Sequence, residues 1–186
     1  MKRLFDLVIA GILSILLLIP MLMIALLVSL TSKGSPLYYS DRVGRKNKIF
    51  KMPKFRTMKL NTPALASHLV SNPDEFLSPI GGFLRRNSLD ELPQLFSILK
   101  GDMSFVGPRP ALFNQNDLIE LRTEKGVDQL IPGLTGWAQV NGRDELPISE
   151  KILLDVEYLD RKSFKFDMKI LWITFLKVLK KDGISH

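Results

Sequence analysis

Residues 7–32, LVIAGILSILLLIPMLMIALLVSLTS, form an uncharged run between Asp6 and Lys33. At about 1.5 Å per helical residue the run reaches roughly 39 Å, which exceeds a hydrocarbon core of about 30 Å. A segment of this length and composition belongs in a membrane. A cleaved signal peptide is the competing reading, but the run is too long and ends in no small-residue cleavage pattern. Lys2 and Arg3 flank one end, while Lys33, Arg42, Arg45, Lys46 and Lys48 flank the other. A straight span therefore leaves positive charge on the outer side whichever way it points. Pro20 lies mid-run, where its missing N–H and its ring bend a helix. Two readings stand: a re-entrant hairpin with both ends on the cytoplasmic side, or a kinked single span.

The chain of 186 residues has room for this anchor, 1–32, and one compact domain, 33–186. A formal charge of +7 calls for an acidic partner: nucleic acid, anionic lipid or a phosphate-bearing substrate. Cysteine is absent and the two histidines, His68 and His186, are far apart, so disulfides, structural zinc and a Ser-His-Asp triad have little to build on. A metal here would be a hard cation on carboxylate oxygens.

Behind the anchor, residues 35–58 read as a β-hairpin turning at Gly44-Arg45-Lys46-Asn47. From Lys33 to Lys59 nine Lys or Arg face one acid, Asp41, a run suited to anionic headgroups. Residues 61–76 are expected to be a loop with one helical turn. Further on, short helical patterns around LPQLFSILKGD and NQNDLIELRTEKG bracket a turn at VGPRP. Two longer helices, SEKILLDVEYLDRK and DMKILWITFLKVLKKDG, close the chain. The last is amphipathic and basic, with Lys169, Lys177, Lys180 and Lys181, and suits either the membrane interface or the core.

The chemistry concentrates in RRNSLDELPQL, residues 85–95. Ser88-Leu89-Asp90-Glu91 matches a capping box, in which Ser88 caps a helix and Glu91 reaches back to it. That account leaves Asp90 unexplained, and it leaves Pro93 in a turn where its N–H is missing. A helix start would favour ionised Asp90, and an ionised aspartate beside a phosphoanhydride is a nucleophile once cations quench the repulsion. Lys54, Arg56, Arg85 and Arg86 supply cations. Pro108-Arg109-Pro110 frames one guanidinium that can fork onto phosphate oxygens. Gln139, Asn141 and Arg143 offer amides and a cation to a base or ribose; a structural loop is the simpler account. Adjacent carboxylates are poorly placed for a glycosidase, and no Gly-rich nucleotide loop is present.

KFRTM (54–58), SLDELPQL (88–95), LKGDMSFVGPRP (99–110) and PGLTGWAQVNGR (132–143), in this order behind an apolar segment, resemble the bacterial sugar transferases, specifically the small monotopic phosphoglycosyl transferases. The resemblance covers nearly the whole chain. It implies a helix-rich α+β fold: a re-entrant membrane helix and a small cytosolic domain with a β-hairpin and interfacial amphipathic helices. It implies Mg2+-dependent transfer of a phosphosugar from a UDP-sugar to undecaprenyl or another polyprenyl phosphate, with UMP released, as the first membrane step of bacterial glycan assembly. Asp90 matches the covalent nucleophile and a metal contact, Glu91 its partner, and Lys54, Arg85 and Arg109 the phosphate contacts. In relatives the anchor breaks at a Ser-Pro pair; here Ile19 precedes Pro20. The implied setting is the cytoplasmic face of the inner membrane, among its phospholipids. Downstream glycosyltransferases and further copies of the chain are compatible partners, nucleic acid is not, and N-acetylated amino or deoxyamino sugars are common substrates in the family. A non-catalytic basic scaffold that recruits pathway enzymes stands as the alternative.

Overall fold

A computed structural model describes residues 1–60, 73–142 and 146–180. Arg143, the histidines and most of the 61–76 loop lie outside the described residues. The fold is α+β and rich in helix, with two small two-stranded sheets.

The apolar run forms two helices, α1 (Lys2–Leu16) and α2 (Leu18–Thr31), bent by 60° at Leu17. Pro20 is the physical cause. Its ring opposes the Leu16 carbonyl and ends α1, while at the third position of α2 its missing N–H would have had no intrahelical partner. No single helix among the described residues is long and apolar enough to cross a membrane; the bent pair is, by length and composition. Polar groups in α2 are internally satisfied: Ser29 and Thr31 donate to the carbonyls of Ala25 and Leu27 at 2.8 and 2.7 Å. Leu4, Val8, Ile12, Ile15, Ile19 and Leu22 point outward.

The inner faces of both helices pack on the rest of the chain. Phe5, Ile9 and Leu13 of α1 join a cluster with Leu95, Ile98 and Phe105, and Met21, Ile24 and Val28 of α2 join one with Phe55 and Leu84. Lys2 donates to the Val106 carbonyl at 2.9 Å and pairs with Asp167 at 2.6 Å. Arg3 donates to the carbonyls of Ile98 and Leu99 at 2.6 and 2.8 Å, next to a helix C-terminus where a cation is favourable. Buried Asp6 accepts from the Phe105 N–H at 3.2 Å.

The expected hairpin is present: β1 (Leu37–Val43) and β2 (Ile49–Phe55) are antiparallel, with Ser40 opposite Met52 and Tyr38 opposite Lys54. The turn holds Lys46 and Asn47 at positive φ. Strand alternation puts Ser40, Arg42, Phe50, Met52 and Lys54 on one face, so two cations ride on the face that carries core residues. Then follow α3 (Gly81–Arg86) and α4 (Gln94–Lys100), separated by a 3-10 turn over Leu89–Glu91.

A second sheet has no counterpart in the sequence reading. β3 (Ser104–Val106) runs parallel to β4 (Gly133–Thr135), with α5 (Asn116–Glu124) between them. Glycine makes the approach possible. A Cβ on Gly133 would lie 2.1 Å from the Gly107 nitrogen, and one on Gly136 would lie 2.1 Å from the Gly107 oxygen. The chain ends its described part with α6 (Trp137–Asn141), α7 (Ile148–Arg161) and α8 (Phe164–Lys180). In α8 Phe166 and Ile170 are core, whereas Trp172, Phe175, Val178 and Leu179 are exposed. The helix thus serves the core along one stripe and presents an apolar surface elsewhere.

Candidate active site

The dyad sits at the junction of β2, α3 and α4. The capping box does not form. Ser88 is in the left-handed region, φ 54°, and makes no side-chain cap bond. Glu91 turns instead to β2: its Oε1 accepts from Lys54 Nζ at 2.6 Å and lies 3.7 Å from Arg109 Nη2. A tertiary ion pair outcompetes the local motif, because a cation offers more than the one backbone N–H a cap would satisfy.

These contacts separate the two carboxyls. Burial alone would raise the Glu91 pKa, but Lys54, Arg109 and Arg42 together hold it down at about 2. Asp90 goes the other way. It is buried, and the loss of solvent pushes its pKa up, a push that Lys54 and Arg85 only partly offset and that the Glu91 charge reinforces. The helix-start dipole expected to favour ionised Asp90 does not prevail, since the residue lies in a 3-10 turn ahead of α4.

Lys54, Arg85 and Arg109 are thus gathered around the dyad. Arg85 also donates to Thr57 Oγ1 at 3.0 Å, which fixes its stem. Arg56 is turned elsewhere: its Nε donates to the Ser35 carbonyl at 2.8 Å at the foot of the hairpin. Asn141 donates to the Trp137 carbonyl of its own helix at 2.7 Å. Gln139 lies beside Gly136 with both carboxamide atoms buried and no hydrogen-bond partner among the described residues.

Two residues that sequence reasoning passed over belong to the site. Arg42 contributes to the charge on Glu91 and donates to the Pro110 carbonyl at 3.2 Å. With Arg109, Met52, Pro110 and Gly133 it lines a small cleft that also contains Gln94, a polar side chain 2% exposed. Hairpin register was the available signal for Arg42, which shares the inward face with Lys54.

A hard divalent cation suits this donor set. Asp90 and Glu91 supply adjacent carboxylate oxygens, and magnesium sites commonly use one or two carboxylates completed by water and substrate phosphate. Burial raises the Asp90 pKa, and a bound cation would favour its ionised form.

Residues 1–181 match the bacterial sugar transferase family. The chain belongs to that family. It is 42% identical over 194 residues to the sugar transferase EpsL of Bacillus subtilis, covering all of this chain and 91% of that protein. It is 38% identical over 184 residues to the UDP-glucose:undecaprenyl-phosphate glucose-1-phosphate transferase of Escherichia coli, covering 95% of this chain and 40% of that one. Against the undecaprenyl-phosphate galactose phosphotransferase of Salmonella typhimurium the identity is 37% over 202 residues, covering 98% and 41%. The chain therefore spans about two fifths of the length of the last two relatives.

Proposed function

We propose that this sugar transferase moves a sugar phosphate from a UDP-sugar to undecaprenyl phosphate in two displacements, with Asp90 as the nucleophile. The observation that carries the reading is the split between the two carboxyls: Glu91 is paired with Lys54 and Arg109, while Asp90 is buried beside the same cations and forms no ion pair of its own among the described residues. An Asp90 oxygen attacks the β-phosphorus, the bond to the bridging oxygen breaks, and UMP leaves with that electron pair. The oxygen of the lipid phosphate then attacks the same phosphorus, which frees the Asp90 carboxylate and leaves an undecaprenyl diphosphate sugar. Splitting the transfer allows a water-soluble donor and a membrane-bound acceptor to use one site in turn.

Arg109 and Arg85 hold the phosphate oxygens and Lys54 keeps Glu91 in place, so positive charge is set before the reaction begins. Bound Mg2+, held by Asp90 and Glu91, would neutralise charge developing on the phosphoryl oxygens. Gln139 has an unengaged amide that is buried beside Gly136 and would reach a nucleotide only after its side chain shifts; Asn141 has its amide engaged within α6.

The anchor reading follows from the same residues. Lys2 and Arg3 bind β3 and α4, while β1 leads on from the other end of the pair, so both ends meet one domain. That arrangement supports a re-entrant, monotopic placement at the cytoplasmic face, with Asp90 near the headgroups. The scaffold alternative needed the dyad as a helix cap, and Ser88 makes no such bond.

The test is a UDP-sugar labelled in the sugar and quenched before any lipid acceptor is added. The panel includes UDP-glucose and UDP-galactose, whose sugars appear in the names of relatives, and N-acetylated amino sugars. Label is expected on the peptide containing Asp90, with UMP released, and neither with Asp90→Asn. Brisk turnover with both substrates present and no label on protein would refute the covalent step. No UMP from any donor would favour the scaffold.

A further inference from the structure

Four consecutive carbonyls in the loop after β3 each accept a hydrogen bond from a donor elsewhere in the fold. Pro108 accepts from the Gly133 N–H at 2.9 Å, Arg109 from Arg122 Nη1 at 2.8 Å, Pro110 from Arg42 Nη1 at 3.2 Å, and Ala111 from the Val43 N–H at 2.9 Å. The two prolines have no N–H to offer, so carbonyls are the means by which this segment can be tied down.

The bond to Arg109 is made by a buried charge. Arg122 on α5 is 8% exposed, and its Nε and Nη2 both donate to Oδ2 of Asp155 on α7, at 3.0 and 2.6 Å. Asp155 is 1% exposed. Burying such a pair carries a desolvation penalty, and apolar residues of similar volume often stabilise a fold as well or better. What an apolar pair cannot do is donate to the Arg109 carbonyl. The fixed fork of a guanidinium can hold Asp155 with one edge and that carbonyl with its remaining nitrogen.

We infer that Arg122, oriented by Asp155, is a positioning residue for the transfer: it locks the backbone of Arg109 so that the Arg109 guanidinium stands over Glu91 and the reacting phosphate. The inference rests on the phosphoryl-transfer reading above. It adds a second layer to the site, remote from the dyad in sequence and acting through one carbonyl oxygen.

The test is the paired replacement Arg122→Met with Asp155→Leu, which keeps volume and removes both charges. UMP release is measured beside thermal unfolding of the full chain in detergent. The expected result is an unchanged or higher Tm with kcat/KM lowered roughly 10- to 100-fold, the loss that follows from misplacing a group by about 1 Å. In an Arg109→Ala background the same pair should cost no further activity, because the side chain being positioned is gone. Arg122→Lys is the second variant, in case the pair fails to fold. It keeps the charge opposite Asp155 but cannot reproduce the guanidinium's three contacts, so activity should fall while Tm holds. Full activity in either variant, or an equal fall with Arg109 already removed, overturns the positioning role while leaving the transferase reading intact. A wild-type chain that releases no UMP from any donor overturns both.

Discussion

Glu91 is the group through which acid should act on this fold. Its pKa is held at about 2 against an ordinary 4.5, which corresponds to roughly 3 kcal/mol of stabilisation when the carboxylate is ionised. The unfolded chain takes up this proton first, so the contribution is complete above the ordinary value and drains away as pH falls toward the folded one. About 2 kcal/mol of it is gone by roughly pH 3. Asp90 has the opposite sign. Its pKa is raised, so it opposes folding when ionised, and that opposition is relieved as the pH falls through its folded pKa. The perturbation is Glu91→Gln, compared with wild type by urea unfolding of the detergent-solubilised chain between pH 7 and pH 3. Wild type should lose about 2 kcal/mol more than the variant on the acid side, while Asp90→Asn should steepen the acid loss. The comparison uses the change with pH because Glu91→Gln also leaves Lys54 without its anion at every pH. Parallel curves for wild type and Glu91→Gln would refute the Lys54 pairing as the source of the low pKa.

Three further outcomes follow from the packing. Lys2→Met removes a charge-assisted bond to buried Asp167 and a donor to Val106, and should lower stability by about 2 kcal/mol in thermal unfolding, reduced where the 37% exposed Lys2 is already screened. Gly133→Ala would drive a Cβ into the Gly107 backbone and should cost on the order of 3 kcal/mol or abolish soluble yield, whereas Gly126→Ala, with φ +72° but open space around it, should cost only about 1 kcal/mol. Pro20→Leu should restore a continuous helix: with cysteines introduced at position 33 or between Met1 and Lys2, an impermeant thiol reagent applied to intact cells should reach neither site in wild type and one of them in the variant.

The hairpin was legible because its alternation and its turn both act within a dozen residues, and its register then places Lys54. The same register carried one step further points to Arg42, which by sequence position alone is only a basic flank of the anchor. The bend was legible from Pro20 alone. The parallel β3–β4 pair was not: each strand has three residues, all or mostly buried, so no alternation marks it. Only the glycines at 107, 133 and 136 hinted at a close backbone approach. At the dyad, local pattern misled. Ser88 and Glu91 have the spacing of a capping box, but the partner that decides the Glu91 conformation is 37 residues away. Arg122 and Asp155 were invisible for a related reason, since a charge on an amphipathic helix reads as solvated until a second helix covers it.

Lys2 and Arg3 are synthesised well before their partners at Ile98, Val106, Tyr158 and Asp167, which lie 95 to 165 residues later in the chain. Closing contacts so distant in sequence is slow relative to local helix and hairpin formation. On the re-entrant placement proposed above, the apolar pair enters lipid while the two cations are still unsatisfied, and their charge resists being drawn through the bilayer during that interval. The clasp made by Lys2 and Arg3 closes only once α4, β3 and α8 are in place to receive it. A residue pair that reads as a topology signal in the nascent chain ends as a structural bolt in the finished enzyme, and the same two charges serve both stages.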